Sequence, residues 1–165
     1  MKPSIVDVGA LDGDYFSVSF SNGHLILFRL AELIRKPDFA ALMKSKTFEK
    51  PKTDGEKLYW TTDGPSLYFD EIMKVAVGDA LLKRTIILVE AHDGDSEIID
   101  IELDNRTVIM FSLKPKLDEP LFAEVVQKRL ISQTDGNKVY WQNGENLTLE
   151  EITEMLRTDN SGELK

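Results

Sequence analysis

Two histidines, His24 and His92, and no cysteine set the limits of the side-chain chemistry open to this chain. Thiolate metal sites, cysteine nucleophiles and disulfides are excluded together, and so is any network needing several imidazoles. His92 stands beside Asp93, where a carboxylate could raise an imidazole's basicity and fit it for general-base work. No serine in a strained turn accompanies it, and no P-loop, dinucleotide fingerprint, G-x-S-x-G or H-E-x-x-H occurs. The segments Asp12-Gly13-Asp14 and Asp93-Gly94-Asp95 lack the further oxygens and distal bidentate Glu of a calcium loop, so they read as turns. Glu150 and Glu151 sit where a helix N-terminus explains them. These residues predict no enzyme, no metal and no cofactor.

Aromatic residues next to turns form the other candidate set. Tyr59-Trp60 precedes Asp63-Gly64, and Tyr140-Trp141 precedes Asn143-Gly144. As a binding site, these eight residues would line a ligand cleft or anchor a partner. The structural alternative is that each tryptophan caps its own core, its N–H finding a local acceptor, while the turns simply reverse the chain.

These pairs belong to a longer repeat, and the repeat sets the elements that must position them. Asp54-Gly55-Glu56-Lys57-Leu58-Tyr59-Trp60 matches Asp135-Gly136-Asn137-Lys138-Val139-Tyr140-Trp141. Leu67–Ile72 matches Leu147–Ile152, and Phe20, Asn22, Phe28, Leu30, Pro37 and Phe39 match Leu103, Asn105, Phe111, Leu113, Pro120 and Phe122. The order is collinear, which a tandem duplication explains. The expected domains are a first copy over 1–80, a second over 81–160 and a frayed tail over 161–165.

Each copy reads as strands followed by helices, giving an α+β fold with a mainly antiparallel sheet and short helices. First strands are expected over Ile5–Leu11 and Thr85–Ala91. The second alternates Phe16, Val18 and Phe20, or Ile99, Ile101 and Leu103. Asn22-Gly23 predicts a hairpin, with Asn105-Arg106 a weaker version. Third strands follow at His24–Phe28 and Thr107–Phe111, placing His24 toward water or a partner. Helical stretches from Leu30 and Leu113 should be interrupted by Pro37, Pro115 and Pro120, before Phe39, Leu42 and Met43, or Phe122, Val125 and Val126, resume helical spacing. A last helix starts near Asp70, and in the second copy Thr148 and Glu151 make a capping box. Phe16, Val18, Phe20, Leu25, Leu27, Phe39, Leu58 and Trp60 are expected in core or inter-copy packing, with the buried side of the strands left open. Two such copies would pack as an intramolecular pseudo-dimer, each covering the other's strand edge or apolar face.

The pattern F-x-N-G-x-x-x-x-F-x-L, then a helix with an aromatic, then V-x-W-x-N-G-x-x-L-x-x-E-E, resembles the bacterial domain of unknown function 2442. Phe20, Asn22, Gly23, Phe28, Leu30, Trp60, Asp63, Gly64 and Leu67 carry it in the first copy. Leu103, Asn105, Phe111, Leu113, Trp141, Asn143, Gly144, Leu147, Glu150 and Glu151 carry it in the second. The hairpin glycine is missing from the second copy, and the first has Asp70-Glu71 for the acid pair. The family usually has a single copy. It is similar in fold to small α+β domains, some with an appended helix-turn-helix. Here the second copy occupies that length, which argues against DNA binding. Members often lie beside small toxin-like genes, so the resemblance implies partner binding, of the antitoxin kind, and no reaction.

Charge agrees with a protein partner more than with nucleic acid. The 165 residues carry 29 acids and 20 bases, a net of −9, whereas phosphate-driven binding needs clustered bases. The basic stretch Arg35–Lys57 is diluted by Asp38, Glu49, Asp54 and Glu56, as a solvated helix and loop would be. Glu90, Glu97, Asp100, Glu102 and Asp104 have no base among them. They read as the wet side of a strand, or as the side that meets a basic partner such as a small toxin. No signal peptide and no apolar run of about 18 residues occurs, so a cytoplasmic, non-membrane protein is expected. The function expected is non-enzymatic protein binding by a monomeric pseudo-dimer or a homodimer. The alternative is a small-molecule ligand held in an aromatic-lined cleft between copies.

Overall fold

The computed structural model describes residues 2–11, 15–29, 37–44, 46–78, 84–93 and 95–159. The fold is α+β, with antiparallel sheets and short helices. A six-stranded sheet runs in the order β1-β2-β3-β9-β8-β7. Its strands are β1 (Ile5–Leu11), β2 (Tyr15–Phe20), β3 (Leu25–Arg29), β7 (Ile86–His92), β8 (Asp95–Leu103) and β9 (Val108–Ser112). Two small sheets accompany it: β4 (Lys52–Thr53), β5 (Lys57–Tyr59) and β6 (Ser66–Tyr68), then β10 (Gln133–Thr134), β11 (Lys138–Tyr140) and β12 (Asn146–Thr148). The helices are α1 (Pro37–Met43), α2 (Phe69–Val77), α3 (Pro120–Gln127) and α4 (Leu149–Arg157).

Alternation builds the core. Phe16, Val18 and Phe20 on β2 and Ile99, Ile101 and Leu103 on β8 are buried, as expected. The next strands differ from expectation. His24, Ile26 and Phe28 are buried, whereas Leu25 and Leu27 are half-buried and lie on the outward side. His24 is 2% exposed and stacks on Phe111 at 4.6 Å, so it faces neither water nor a partner. The physical reason is phase: 24–28 has only one polar residue, so its alternation did not distinguish the two sides.

The strands β3 and β9 join the halves. Leu25 pairs with Met110, Ile26 with Ile109 and Leu27 with Val108. The helix ends cross the same joint. Asn22 Nδ2 donates to Leu156 O at 3.0 Å and Thr158 O at 3.1 Å, at the end of α4 in the other half. Asn105 Nδ2 donates to Val75 O at 3.2 Å and Ala76 O at 3.1 Å. Each asparagine thus satisfies carbonyls that a helix C-terminus leaves unpaired.

Hairpin geometry also departs from a two-residue Asn-Gly turn. Phe20 N–H donates to His24 O at 2.9 Å and Gly23 N–H to Phe20 O at 3.1 Å, enclosing three residues. Gly23 takes the left-handed position with φ 88°, and Arg106 takes it in the second hairpin with φ 69°. Pro37 and Pro120 start helices rather than interrupting them, because a first helical residue needs no N–H partner. The stretch from Leu30 lies outside the described residues, while Lys114–Lys116 forms a short 3-10 turn. The capping box is present: Glu151 N–H donates to Thr148 Oγ1 at 3.1 Å, and Thr148 N–H to Glu151 Oε1 at 3.2 Å.

Candidate functional site

The two tryptophans directly follow strands β5 and β11 and are core residues. Trp60 is 1% exposed, stacks on Phe48 and meets Phe16 and Phe39 edge-on; its Nε1–H donates to Phe48 O at 3.0 Å. Trp141 is 3% exposed and packs edge-on against Phe122. A buried indole whose N–H is already satisfied offers a ligand no polar handle. The local-acceptor alternative describes Trp60.

Tyr59 and Tyr140 are half-buried on β5 and β11. Lys57 Nζ lies 5.6 Å from the Tyr59 ring centroid and 5.9 Å from that of Tyr68. Asp63 is exposed, and Gly64 N–H returns to Thr61 O at 3.2 Å. Asn143 is tied inward: its Nδ2 donates to Leu121 O at 2.9 Å and Glu124 Oε1 at 3.1 Å. That bond, with Lys128, holds the Glu124 carboxyl below its usual range. Gly144, at φ 88°, closes the turn onto Trp141 O. In the second half the turn therefore fastens strand to helix α3.

The turns over Asp54 and Asp135 are built bond for bond alike. Asp54 Oδ1 accepts from Glu56 and Lys57 N–H, and Asp135 Oδ1 from Asn137 and Lys138 N–H, which holds both carboxyls below their usual range. Each turn also hooks an edge of the large sheet, since Ile5 N–H donates to Gly55 O and Ile86 N–H to Gly136 O, both at 2.8 Å.

His92 ends β7 between two carboxylates. Its Nδ1 lies 2.8 Å from Asp100 Oδ2 and its Nε2 3.4 Å from Asp93 Oδ2. Asp100 orients the ring as a catalytic carboxylate would, but the second nitrogen faces another carboxylate rather than a hydroxyl nucleophile. Asp12–Asp14 and Gly94 lie outside the described residues. Among the described residues no group of three acids or histidines has the geometry of a metal site.

Among the described residues, the outward side of the large sheet carries a cluster of half-buried apolar side chains. Across it run Gly9, Ser17, Leu27, Val108, Glu102 and Leu88, paired strand to strand. Beside them run Asp7, Ser19, Leu25, Met110, Asp100 and Glu90. The four central residues are half-buried, and Leu88 and Leu11 at the two edges are 49% and 51% exposed. The sequence assigns Leu25 and Leu27 to core or inter-copy packing without choosing the buried side; they pair with Met110 and Val108 of the other half on the outward side, and the acidic stretch around Asp100 is the signal that points near this surface. No helix among the described residues is long and apolar enough to cross a membrane. Comparison with known proteins gave no matching family model, no matching curated protein and no matching solved structure.

Proposed function

We propose that this chain is a non-enzymatic protein-binding module, built as an intramolecular pseudo-dimer, whose partner docks on the outward side of the six-stranded sheet. The observation that carries the reading is the apolar centre formed by Leu25, Leu27, Val108 and Met110 across the joint. An apolar centre bordered by polar residues, with exposed leucines at both sheet edges, has the form of an interaction surface.

The pseudo-dimer reading rests on reciprocity. Ile26 and Ile109 are equivalent in the repeat and face each other, so Leu25 meets Met110 as Val108 meets Leu27. An isologous contact has this form. The equivalent residues Asn22 and Asn105 each reach the helix of the other half. The resemblance to domain of unknown function 2442 supplies the biological setting, an antitoxin-like protein paired with a small basic toxin.

The test is isolation of the tagged chain from its native cells, intact native mass, and carbene footprinting of the complex. A fixed-ratio protein partner that shields Leu27 and Met110 is the expected result. A chain that carries only a small molecule, or a partner that leaves both side chains as reactive as in the free protein, would overturn the proposal.

A further inference from the structure

The two halves keep the same apolar inward residues but differ sharply on the outward side. Phe16, Val18, Phe20, Ile26 and Phe28 correspond to Ile99, Ile101, Leu103, Ile109 and Phe111, all buried. Outward, Ser17 corresponds to Asp100, Ser19 to Glu102 and Gly9 to Glu90. Arg29, exposed with its guanidinium 5.5 Å from the Tyr15 ring centroid, corresponds to Ser112. A twofold arrangement of strands therefore carries an uneven charge: Glu90, Asp100 and Glu102 over β7 and β8, against Asp7 on β1, serines on β2 and Arg29 on β3.

We infer that this surface takes a single basic, amphipathic polypeptide segment in one orientation, its apolar residues on Leu25, Leu27, Val108 and Met110 and its cations over Glu90, Asp100 and Glu102. The inference rests on the protein-binding reading above and adds the partner's chemistry and polarity to it. A symmetric surface would accept a segment in two equivalent orientations; the carboxylates remove one, because the reversed segment would set its cations against Arg29. Asp100 Oδ2 is engaged by His92, and its side chain is 25% exposed, so the carboxylate adds to the negative charge that a partner cation meets. Glu102 is held by Arg106 at 2.9 Å with the arginine 62% exposed, so a partner cation can exchange with it at little cost.

The experiment uses the full chain and a dye-labelled synthetic peptide of alternating leucine and lysine, followed by fluorescence anisotropy. Two triple variants remove the same charge: Glu90→Gln, Asp100→Asn, Glu102→Gln on this surface, and Glu49→Gln, Glu56→Gln, Glu150→Gln elsewhere. Thermal unfolding checks that both remain folded. The surface variant should bind roughly tenfold more weakly, as several partly exposed ion pairs together would give, and the control should bind within about twofold of the parent. Leu27→Ser with Met110→Ser should also weaken binding, which a purely ionic attraction would not. Equal weakening by both triple variants, equal binding of a leucine–glutamate peptide, or no binding of the lysine peptide would overturn the inference. A native partner that footprints Leu27 and Met110 but is insensitive to the surface triple variant would leave the protein-binding reading standing and remove this one.

Discussion

His24 gives the sharpest quantitative test of the packing at the joint. The ring is buried, stacks on Phe111 and accepts the Ser112 N–H at Nδ1 over 3.1 Å. That bond requires a neutral ring with its proton on Nε2. Burial lowers its pKa from 6.5 to about 4. The sign follows from linkage: below 6.5 the unfolded chain binds a proton that the folded chain refuses. Stability from this residue is complete above about pH 6.5, falls as pH drops toward 4, and is flat below. The gap corresponds to about 3 kcal/mol in full, and about 2.5 kcal/mol by pH 4.5. The perturbation is His24→Thr, which copies the equivalent Thr107 and has no titrating group. Urea unfolding followed by the fluorescence of Trp60 and Trp141, at pH 7 and about pH 4.5, reads both proteins. At pH 7 the variant should be less stable by about 1–3 kcal/mol, because the Ser112 N–H loses its acceptor and the stacked ring is gone. At the lower pH the deficit should vanish or reverse, since carboxylates and His92 titrate alike in both proteins and cancel. Parallel pH profiles would refute the burial argument.

Four other outcomes follow from named contacts. Asn22→Ala strips donors from Leu156 O and Thr158 O, so it should cost about 1–3 kcal/mol and speed hydrogen exchange at the end of α4 while leaving α2 unchanged; Asn105→Ala should do the reverse. Arg106→Gly should raise the midpoint of thermal unfolding, because a left-handed arginine costs about 1 kcal/mol that glycine does not. Gly136→Ala should destabilise more than Gly55→Ala in the same assay. Both sit near φ 100°, but an added Cβ at 136 meets Thr85 Cγ2 at 3.1 Å, while at 55 nothing lies within 4 Å. Thr148→Ala should cost about 1 kcal/mol by chemical denaturation, through loss of the α4 cap.

Much of the architecture was legible because the chain states it twice. The Ile5–Leu11 bounds agree with β1 residue for residue, the buried phase of β2 follows its alternation, and the Thr148–Glu151 pair caps α4. Legibility failed where a local pattern has two readings. In 24–28, four apolar residues and one histidine fill both sides of a strand that is central in the folded sheet, so neighbours rather than alternation choose its phase. Three-residue strands such as Ser66–Tyr68 and Asn146–Thr148 are too short to show a period. The aromatic candidates divided for a related reason. A tryptophan beside a turn can face either way, and Trp60 turns inward because Phe16, Phe39 and Phe48 surround it. Asn22 stood in the repeat as a turn residue; its reach to α4 depends on contacts between halves that no local pattern carries.

The central claim is that a protein docks on the outward side of the large sheet, and site-directed photocrosslinking in the native cells tests it most directly. A photoreactive residue is placed at Leu27 on that side and, separately, at Tyr68, which is 49% exposed on β6. The account predicts one discrete protein adduct from position 27, lost when Glu90, Asp100 and Glu102 are neutralised, and none from position 68. No adduct at 27, or the same adduct from both positions, would contradict it.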